Sequence, residues 1–361
     1  MYTDDAADLL EEMPAIMVTS LLSNVSKETR NDINFLLKYP DNSAGSLMAT
    51  EYIHLKKGLT IKDSIKRIRE QKDDFVSYDN CFVTDDKRTF LGTVSVKNLL
   101  INDPETLIDD VMEECEHCLT TLMDQEDVAN IFQDYNYNSL PVVDSEHRLV
   151  GIITIDDIVD IIEEEATEDM EKMAAITPTD KPYMKTGVFE TWKKRIPWLL
   201  LLMISATFTG SIITHFEDAL AAYVVLTSFI PMLMDSGGNA GSQASVSIIR
   251  GLSLDEIEYK DTLKVIWKEI RVALLCGVTL AAANFIKLML LDHIAMNISL
   301  VVCFTLCITI IFAKLVGCSL PILAKKIGFD PAVMASPFIT TIVDACSLLI
   351  YFKIAGIFLG I

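Results

Sequence analysis

Asp330-Pro-Ala-Val-Met-Ala-Ser-Pro-Phe-Ile-Thr-Thr-Ile-Val-Asp344 opens the last apolar stretch of the chain and places one carboxylate at its start and one deep inside it. A helix rises 1.5 Å per residue, so the two acids are separated by roughly 20 Å. Pro337, Thr340 and Asp344 are spaced three and four residues apart and share one helical face, with Asp330 nearly on the same line. An intramembrane carboxylate is costly and normally lines a cavity or pathway. The strip from Asp330 to Asp344 therefore reads as part of a cation path. The bland alternative is a buried pair between Asp344 and Lys314.

Working outward, five apolar stretches near 196–216, 219–249, 263–291, 294–324 and 331–360 reach the length of about 20 residues needed to cross a bilayer core. Lys193, Lys194 and Arg195 precede the first. Arg250, Lys260, Lys264, Lys268 and Arg271 gather around the link between the second and third, and Lys325 and Lys326 follow the fourth. Under the positive-inside rule these basic clusters mark the cytoplasmic side, which leaves the C-terminus outside.

The second stretch holds Pro231-Met-Leu-Met-Asp235-Ser-Gly-Gly-Asn239-Ala-Gly-Ser-Gln243. Asp235, Asn239 and Gln243 recur every four residues, and Gly237, Gly238 and Gly241 allow close backbone approach. Small-residue packing explains the glycines but not the acid and amides, so Asn239 and Gly238 join the expected pathway. Hard oxygen donors without His or Cys suit Mg²⁺, held largely hydrated. One polar strip on five spans cannot enclose a pore alone, whereas a parallel homodimer with two copies of Asp344 facing each other can.

The first half has a different character. Residues 1–190 carry 17 Lys/Arg against 40 Asp/Glu, whereas residues 191–361 carry 13 against 11. Such acidity repels nucleic acid and suits cations. Met1-Tyr2-Thr3-Asp4-Asp5 has no signal-peptide character, so the N-terminal half is expected in the cytosol. Five of the eight cysteines lie in apolar runs, and Cys115-Glu-His-Cys118 lacks a second pair at zinc spacing; reduced, structural cysteines are expected. No nucleophile–base pair or phosphate loop points to an enzyme.

Residues 47–165 contain one unit twice: an entry strand, an amphipathic helix, two strands and a closing helix. Ile61, Ile65 and Ile68 mark the first helix, and Val128, Ile131 and Phe132 the second. Asp85-Asp86-Lys87 and Asp144-Ser145-Glu146 supply the hairpin turns. The first copy has a longer insert around Gln71–Asn80. The pair resembles tandem CBS domains. Glu163-Glu-Glu-Ala-Thr-Glu168-Asp169 then continues helically toward the first span.

These elements, with Tyr39-Pro-Asp-Asn-Ser-Ala-Gly45, Gly237-Gly-Asn-Ala-Gly-Ser-Gln243 and the Asp330–Asp344 strip, together resemble the MgtE family of Mg²⁺ channels and transporters over essentially the whole chain. The resemblance implies a multidomain fold: an α+β tandem CBS cytoplasmic domain, a connecting plug helix and an all-α domain of five transmembrane helices. Expected boundaries are 1–40 for the end of a helical N-terminal domain, 41–105 and 106–162 for the CBS units, 163–190 for the plug helix and 191–361 for the membrane domain. It implies a homodimer in a cell membrane that takes up Mg²⁺ and closes when intracellular Mg²⁺ is high. Its regulatory carboxylates fall on Asp124, Glu126, Asp157, Asp160, Glu165, Glu168 and Asp169, while Asn136 stands where some members carry an acid. No feature of the sequence supports ATP at the CBS pair. An ion-coupled exchanger, or a membrane-anchored metal or nucleotide sensor, are the alternatives.

Overall fold

The computed structural model describes residues 2–360 apart from Glu12, residues 71–74, Asp180 and Ala335; the expected insert at Gln71–Asn80 thus falls partly outside the described residues. The chain divides into two compact units, Met1–Glu165 and Ala166–Ile361.

The first unit opens with helices α1 (Thr3–Glu11), α2 (Ala15–Asn24) and α3 (Lys27–Leu36), followed by the short α4 (Ala44–Leu47). The repeat follows twice. Its first copy is β1 (His54–Lys56), α5 (Ile61–Glu70), β2 (Asn80–Thr84), β3 (Phe90–Ser95) and α6 (Val96–Ile101). Its second is α7 (Ile108–Val111), β4 (Leu119–Thr120), α8 (Gln125–Tyr135), β5 (Ser139–Val143), β6 (Leu149–Thr154) and the start of α9 (Ile155–Met173). Each sheet pairs its first strand parallel to its second and its second antiparallel to its third. The hairpins are made by the same chemistry. Asp85 accepts from the backbone N–H of Lys87 and Thr89, and Asp144 from that of Glu146 and Arg148. Such Asx turns leave the next residues free to turn back, and Arg88 and His147 both take positive φ there. Leu55, Ile61, Val83 and Val94 fill the first core. Leu119, Val128, Phe132, Val142 and Ile153 fill the second, on which Leu10, Ile33 and Leu36 of the N-terminal helices also pack.

The second unit begins within α9. This helix stops at Met173, where the repeat of charged and apolar positions gives way to Ala175 at positive φ and then to Pro178 and Pro182. The helix expected over 163–190 therefore stops at Met173, the described residues among 174–187 are not helical, and helix resumes only with Val188. Then follow α10 (Val188–His215), α11 (Glu217–Ala222), α12 (Ile230–Ser253), α13 (Thr262–Leu290), α14 (Met296–Lys326) and α15 (Ser336–Leu359). The stretch expected as one span over 219–249 is broken: α11 ends at Ala222, a 3₁₀ turn runs Val224–Phe229, and α12 starts with Pro231 in its first turn, where a missing N–H does no harm.

Among the described residues, four helices are long and apolar enough to cross a membrane: Val188–His215, Tyr259–Leu290, Met296–Lys326 and Pro331–Leu359. With 24 residues, α12 is long enough but not apolar enough, because Asp235, Asn239 and Gln243 occupy it. It packs instead between α14 and α15, with α13 against α14 and α10 against α15. The ends of three helices meet. Lys325 of α14 donates to the Leu252 carbonyl at 2.7 Å and pairs with Asp255, while Lys326 donates to Tyr259 just before α13. Lys325 and Lys326 thus join the ends of α12 and α14 to the start of α13.

Two glycines set the α12–α14 distance. A Cβ on Gly317 would collide with the Gly241 carbonyl oxygen, and one on Gly241 would stand 2.9 Å from Ile339 of α15 and 3.1 Å from the Ala313 carbonyl. Helices in lipid gain their association energy from such close approach. Gly317→Leu is accordingly expected to force α12 and α14 apart, at about 1–3 kcal/mol or more. Thermal unfolding in detergent should fall by several degrees, and an unchanged melting curve would refute the contact.

Candidate functional site

Three of the expected pathway residues, Gly238, Thr340 and Asp344, come together where α12 meets α15. Thr340 and Asp344 both face Gly238: a Cβ there would lie 3.1 Å from Thr340 Cγ2 and 3.8 Å from Asp344 Oδ1. The hydroxyl of Thr340 donates to the Pro337 carbonyl at 3.0 Å, near the start of α15. Asp235 lies close enough for its charge to be felt at Asp344. Asp235, Asn239 and Gln243 are exposed on the single chain, along one face of α12. Gly238 therefore lets the oxygen-bearing strip of α15 lie directly against α12, beside α12's own polar face.

Lys314 does not pair with Asp344. It reaches Glu269 of α13 at 3.5 Å; the Lys314 side chain is buried and that of Glu269 largely so, with 7% and 12% of their surface exposed. The expected alternative of an Asp344–Lys314 pair is thereby not formed.

Asp330 does not continue the helical line of Thr340 and Asp344 as expected, because it precedes the 3₁₀ turn Pro331–Met334 and α15 begins only at Ser336; its two oxygens do different things. Oδ1 accepts from the Ala332 backbone N–H at 2.7 Å, capping the 3₁₀ turn Pro331–Met334 that leads into α15. Oδ2 receives the Lys172 ammonium at 2.6 Å, and Lys172 also binds Glu168 one turn back on α9 at 2.6 Å. Beside them, the Ser253 hydroxyl at the end of α12 donates to Asp169 at 3.2 Å. Burial pushes Asp169 above the usual carboxylate range; the charges of Asp330 and Glu168 add to this, and the Ser253 hydroxyl and Lys172 oppose it. Burial alone would lower the Lys172 ammonium, but its hydrogen bonds to Asp330 and Glu168 carry it above the usual lysine range. Lys172 is a functional candidate that sequence reading missed. Its spacing from Glu168 is visible, but its bond to Asp330 is not.

The remaining acids lie in the first unit and divide into two groups. Asp124 is the N-cap of α8, accepting from the Glu126 backbone N–H, and the intervening Gln125 donates to Glu165 at 2.6 Å. Gln125, between Asp124 and Glu126, thus ties the start of α8 to Glu165. Asp157 accepts from Thr154 through both its backbone N–H and its hydroxyl, closing the first turn of α9. Its electrostatic neighbours are Asp4 and Asp5 of α1. Asp160 is exposed on α9 and joins neither group in any described contact. Asn136 is the C-cap of α8 in the left-handed conformation, which asparagine adopts readily. All eight cysteines are free of disulfides. Among the described residues no three His, Cys, Asp or Glu side chains converge closely enough to hold a metal ion.

Burial raises the Asp4 carboxyl to about 7, with Asp157, Asp5 and Glu51 adding to it, and burial likewise raises Asp157. Because the folded pKa of Asp4 exceeds its unfolded value, the proton it holds contributes stability that is complete below about pH 4. That contribution is lost as pH rises through about 7. Asp4→Asn should therefore stabilise the first unit at pH 8 and change little at pH 4. Hydrogen exchange of α1 and α9 amides at the two pH values reads this, and equal protection in variant and wild type at pH 8 would contradict it.

A family model for the MgtE divalent cation transporter matches residues 230–354, the helices that carry this strip and its partner face. CBS domain models match residues 44–105 and 108–164, and the MgtE intracellular N domain matches residues 1–42. The magnesium transporter MgtE of Thermus thermophilus is 35% identical, the alignment covering 99% of this chain and 79% of that protein. The chain belongs to the MgtE family. The Bacillus subtilis magnesium transporter MgtE is likewise 35% identical, with 99% and 79% covered. Among solved structures, the cytosolic domain of the Mg²⁺ channel MgtE in complex with ATP is similar at 34% identity. That match covers 45% of this chain and 66% of that one, with a TM-score of 0.43. As an MgtE member the chain is a membrane protein of the divalent-cation transporter class, with an α+β CBS region followed by apolar helices.

Proposed function

We propose that this MgtE protein moves Mg²⁺ across a cell membrane along a path from Asp330, just before α15, to Thr340 and Asp344 within it, as a homodimer whose two paths face each other. The observation that carries it is the pairing of Thr340 and Asp344 with Gly238, beside an α12 face of Asp235, Asn239 and Gln243 that the single chain leaves exposed. An acid and two amides facing lipid would be strongly unfavourable, so a second copy or a water-filled path must cover them. The magnesium transporters of Thermus thermophilus and Bacillus subtilis support the choice of ion. Mg²⁺ sheds water reluctantly, which suits carboxylates and amides that can bind its hydration shell. The N-terminal half and the basic helix ends lie in the cytoplasm, and the C-terminus lies outside.

Intracellular Mg²⁺ closes the path through the acidic residues Asp124, Glu126, Asp157, Asp160, Glu165, Glu168 and Asp169. With the ion absent their like charges repel, and the closed arrangement is disfavoured; each ion that bridges them shifts the population back. Uptake of Mg²⁺ into liposomes, with Ca²⁺, Mn²⁺ and Co²⁺ as competitors, tests the transport itself. Absence of uptake, or equal uptake of all four ions, would overturn it. For the gate, the Glu165→Ala/Glu168→Ala variant should need several-fold more Mg²⁺ on the cytoplasmic face to stop uptake. An inhibition curve superimposable on that of wild type would remove these acids from the gate.

A further inference from the structure

Lys172 joins three elements in the second unit. It is the penultimate residue of α9, and its ammonium is 2.6 Å from both Glu168 and Asp330. The other oxygen of Asp330 caps the turn that opens α15, the helix of the transport strip. One residue further on, Met173 packs against Ile249 of α12 and Ala332 of that same turn. Three residues before Lys172, Asp169 accepts from Ser253 at the end of α12. The last turn of α9 therefore grips the ends of both pathway helices. The charged part of this grip is a lysine between two carboxylates, the position a bridging divalent ion would otherwise take.

We propose that Lys172 is a covalently tethered counter-cation that locks the end of α9 to the α15 entrance in the closed state, so that this contact forms without a bound Mg²⁺. The proposal rests on the Mg²⁺-closed gate described above and adds a residue to it. Two carboxylates brought together without a cation repel each other, and a bridging ammonium reverses that sign. A divalent ion must bind anew at each closure and so responds to concentration. A lysine is present at every closure, so its contribution is constant. It lowers the free energy of the closed state by a fixed amount and leaves the concentration dependence to the other acids. Its share of the closed-state stability therefore sets where the inhibition curve lies, not whether Mg²⁺ is sensed.

The full-length protein in liposomes tests this through Mg²⁺ uptake as a function of Mg²⁺ on the cytoplasmic face. Lys172→Met should raise the half-inhibiting Mg²⁺ concentration about twofold to fivefold, the equivalent of roughly 1 kcal/mol for a partly exposed ion pair when two cooperating ions or one ion close the gate. Lys172→Arg, which keeps the charge, should stay near wild type. A role confined to packing would spare Lys172→Met, whose stem is similar in length, and would not be rescued by charge. An unchanged half-inhibiting concentration in Lys172→Met overturns the proposal. So does a lower one, which would mean that the ammonium competes with Mg²⁺ for these carboxylates. If wild type itself shows no inhibition by Mg²⁺, the gate fails rather than the lysine lock. In that case a second measurement still decides the lock: oxidative cross-linking of Met173→Cys to Ile249→Cys in a background without other cysteines. Cross-linking weakened by Lys172→Met upholds it, and equal cross-linking overturns it. Should Lys172→Met not fold, the exchanged pair Lys172→Asp/Asp330→Lys is compared with Asp330→Lys alone. Inhibition regained in the pair supports the lock, and no difference between the two overturns it.

Discussion

Replacing Asp344 with alanine should abolish Mg²⁺ uptake into liposomes, with a fall on the order of 10²-fold or more. The expectation follows from where the side chain sits. It stands on the face of α15 turned toward Gly238, with Thr340 one turn before it and Asp235 as its acidic neighbour. Among the described residues Asp344 forms no salt bridge, and Lys314 is engaged with Glu269. A carboxylate held in the membrane without a basic partner is unfavourable by about 3 kcal/mol, and a passing cation can recover that energy. Removing the carboxylate removes the well, and 3 kcal/mol corresponds to about 10²-fold in ion occupancy. Asp344→Asn keeps the shape but not the charge and should fall nearly as far. Asp235→Asn, on the exposed face of α12, should have a smaller effect. Uptake by Asp344→Ala within threefold of wild type would falsify the assignment of α15 as the pathway.

The second large effect is on stability. Lys314→Met should destabilise the membrane unit by about 3–5 kcal/mol, because it leaves the Glu269 carboxylate buried with no counter-charge. The double variant Lys314→Met/Glu269→Gln should recover most of the loss, since a buried ion pair adds little over a well-packed neutral pair. Thermal unfolding in detergent, followed by size-exclusion chromatography, separates the three proteins. A single variant that melts with wild type, or a double variant no better than the single, would show that the pair does not join α13 to α14 as the geometry requires.

Much of the fold was legible in the sequence because two periodicities are strong. The alternation of strands with amphipathic helices revealed the repeat, and Asp85 and Asp144 marked its hairpins, where local hydrogen bonds suffice to fix the turn. The 3.6-residue period likewise brought Pro337, Thr340 and Asp344 onto one face. The break between α11 and α12 was hidden because hydropathy averages over a stretch and is blind to a 3₁₀ turn at Val224–Phe229. The early end of α9 was hidden because the acidic run looks helical until Pro178. At the site, partner choice was the limit. Lys314 could have met Glu269 or Asp344, and Lys172 could have been a solvated helix residue. Charge and spacing decide neither, because both partners lie on other elements and only the packing of α9, α13 and α14 selects them.

The polar face of α12 has a consequence for how the protein is made. A helix bearing Asp235, Asn239 and Gln243 gains too little from lipid to leave the translocation machinery unaided. Its neighbours α14 and α15 are synthesised after it. The segment must therefore wait at the insertion site, or at the bilayer surface, until the later helices arrive to cover it. This helix can settle into the membrane only as part of an assembled group, so chains arrested before α15 is complete are the ones that quality control should remove.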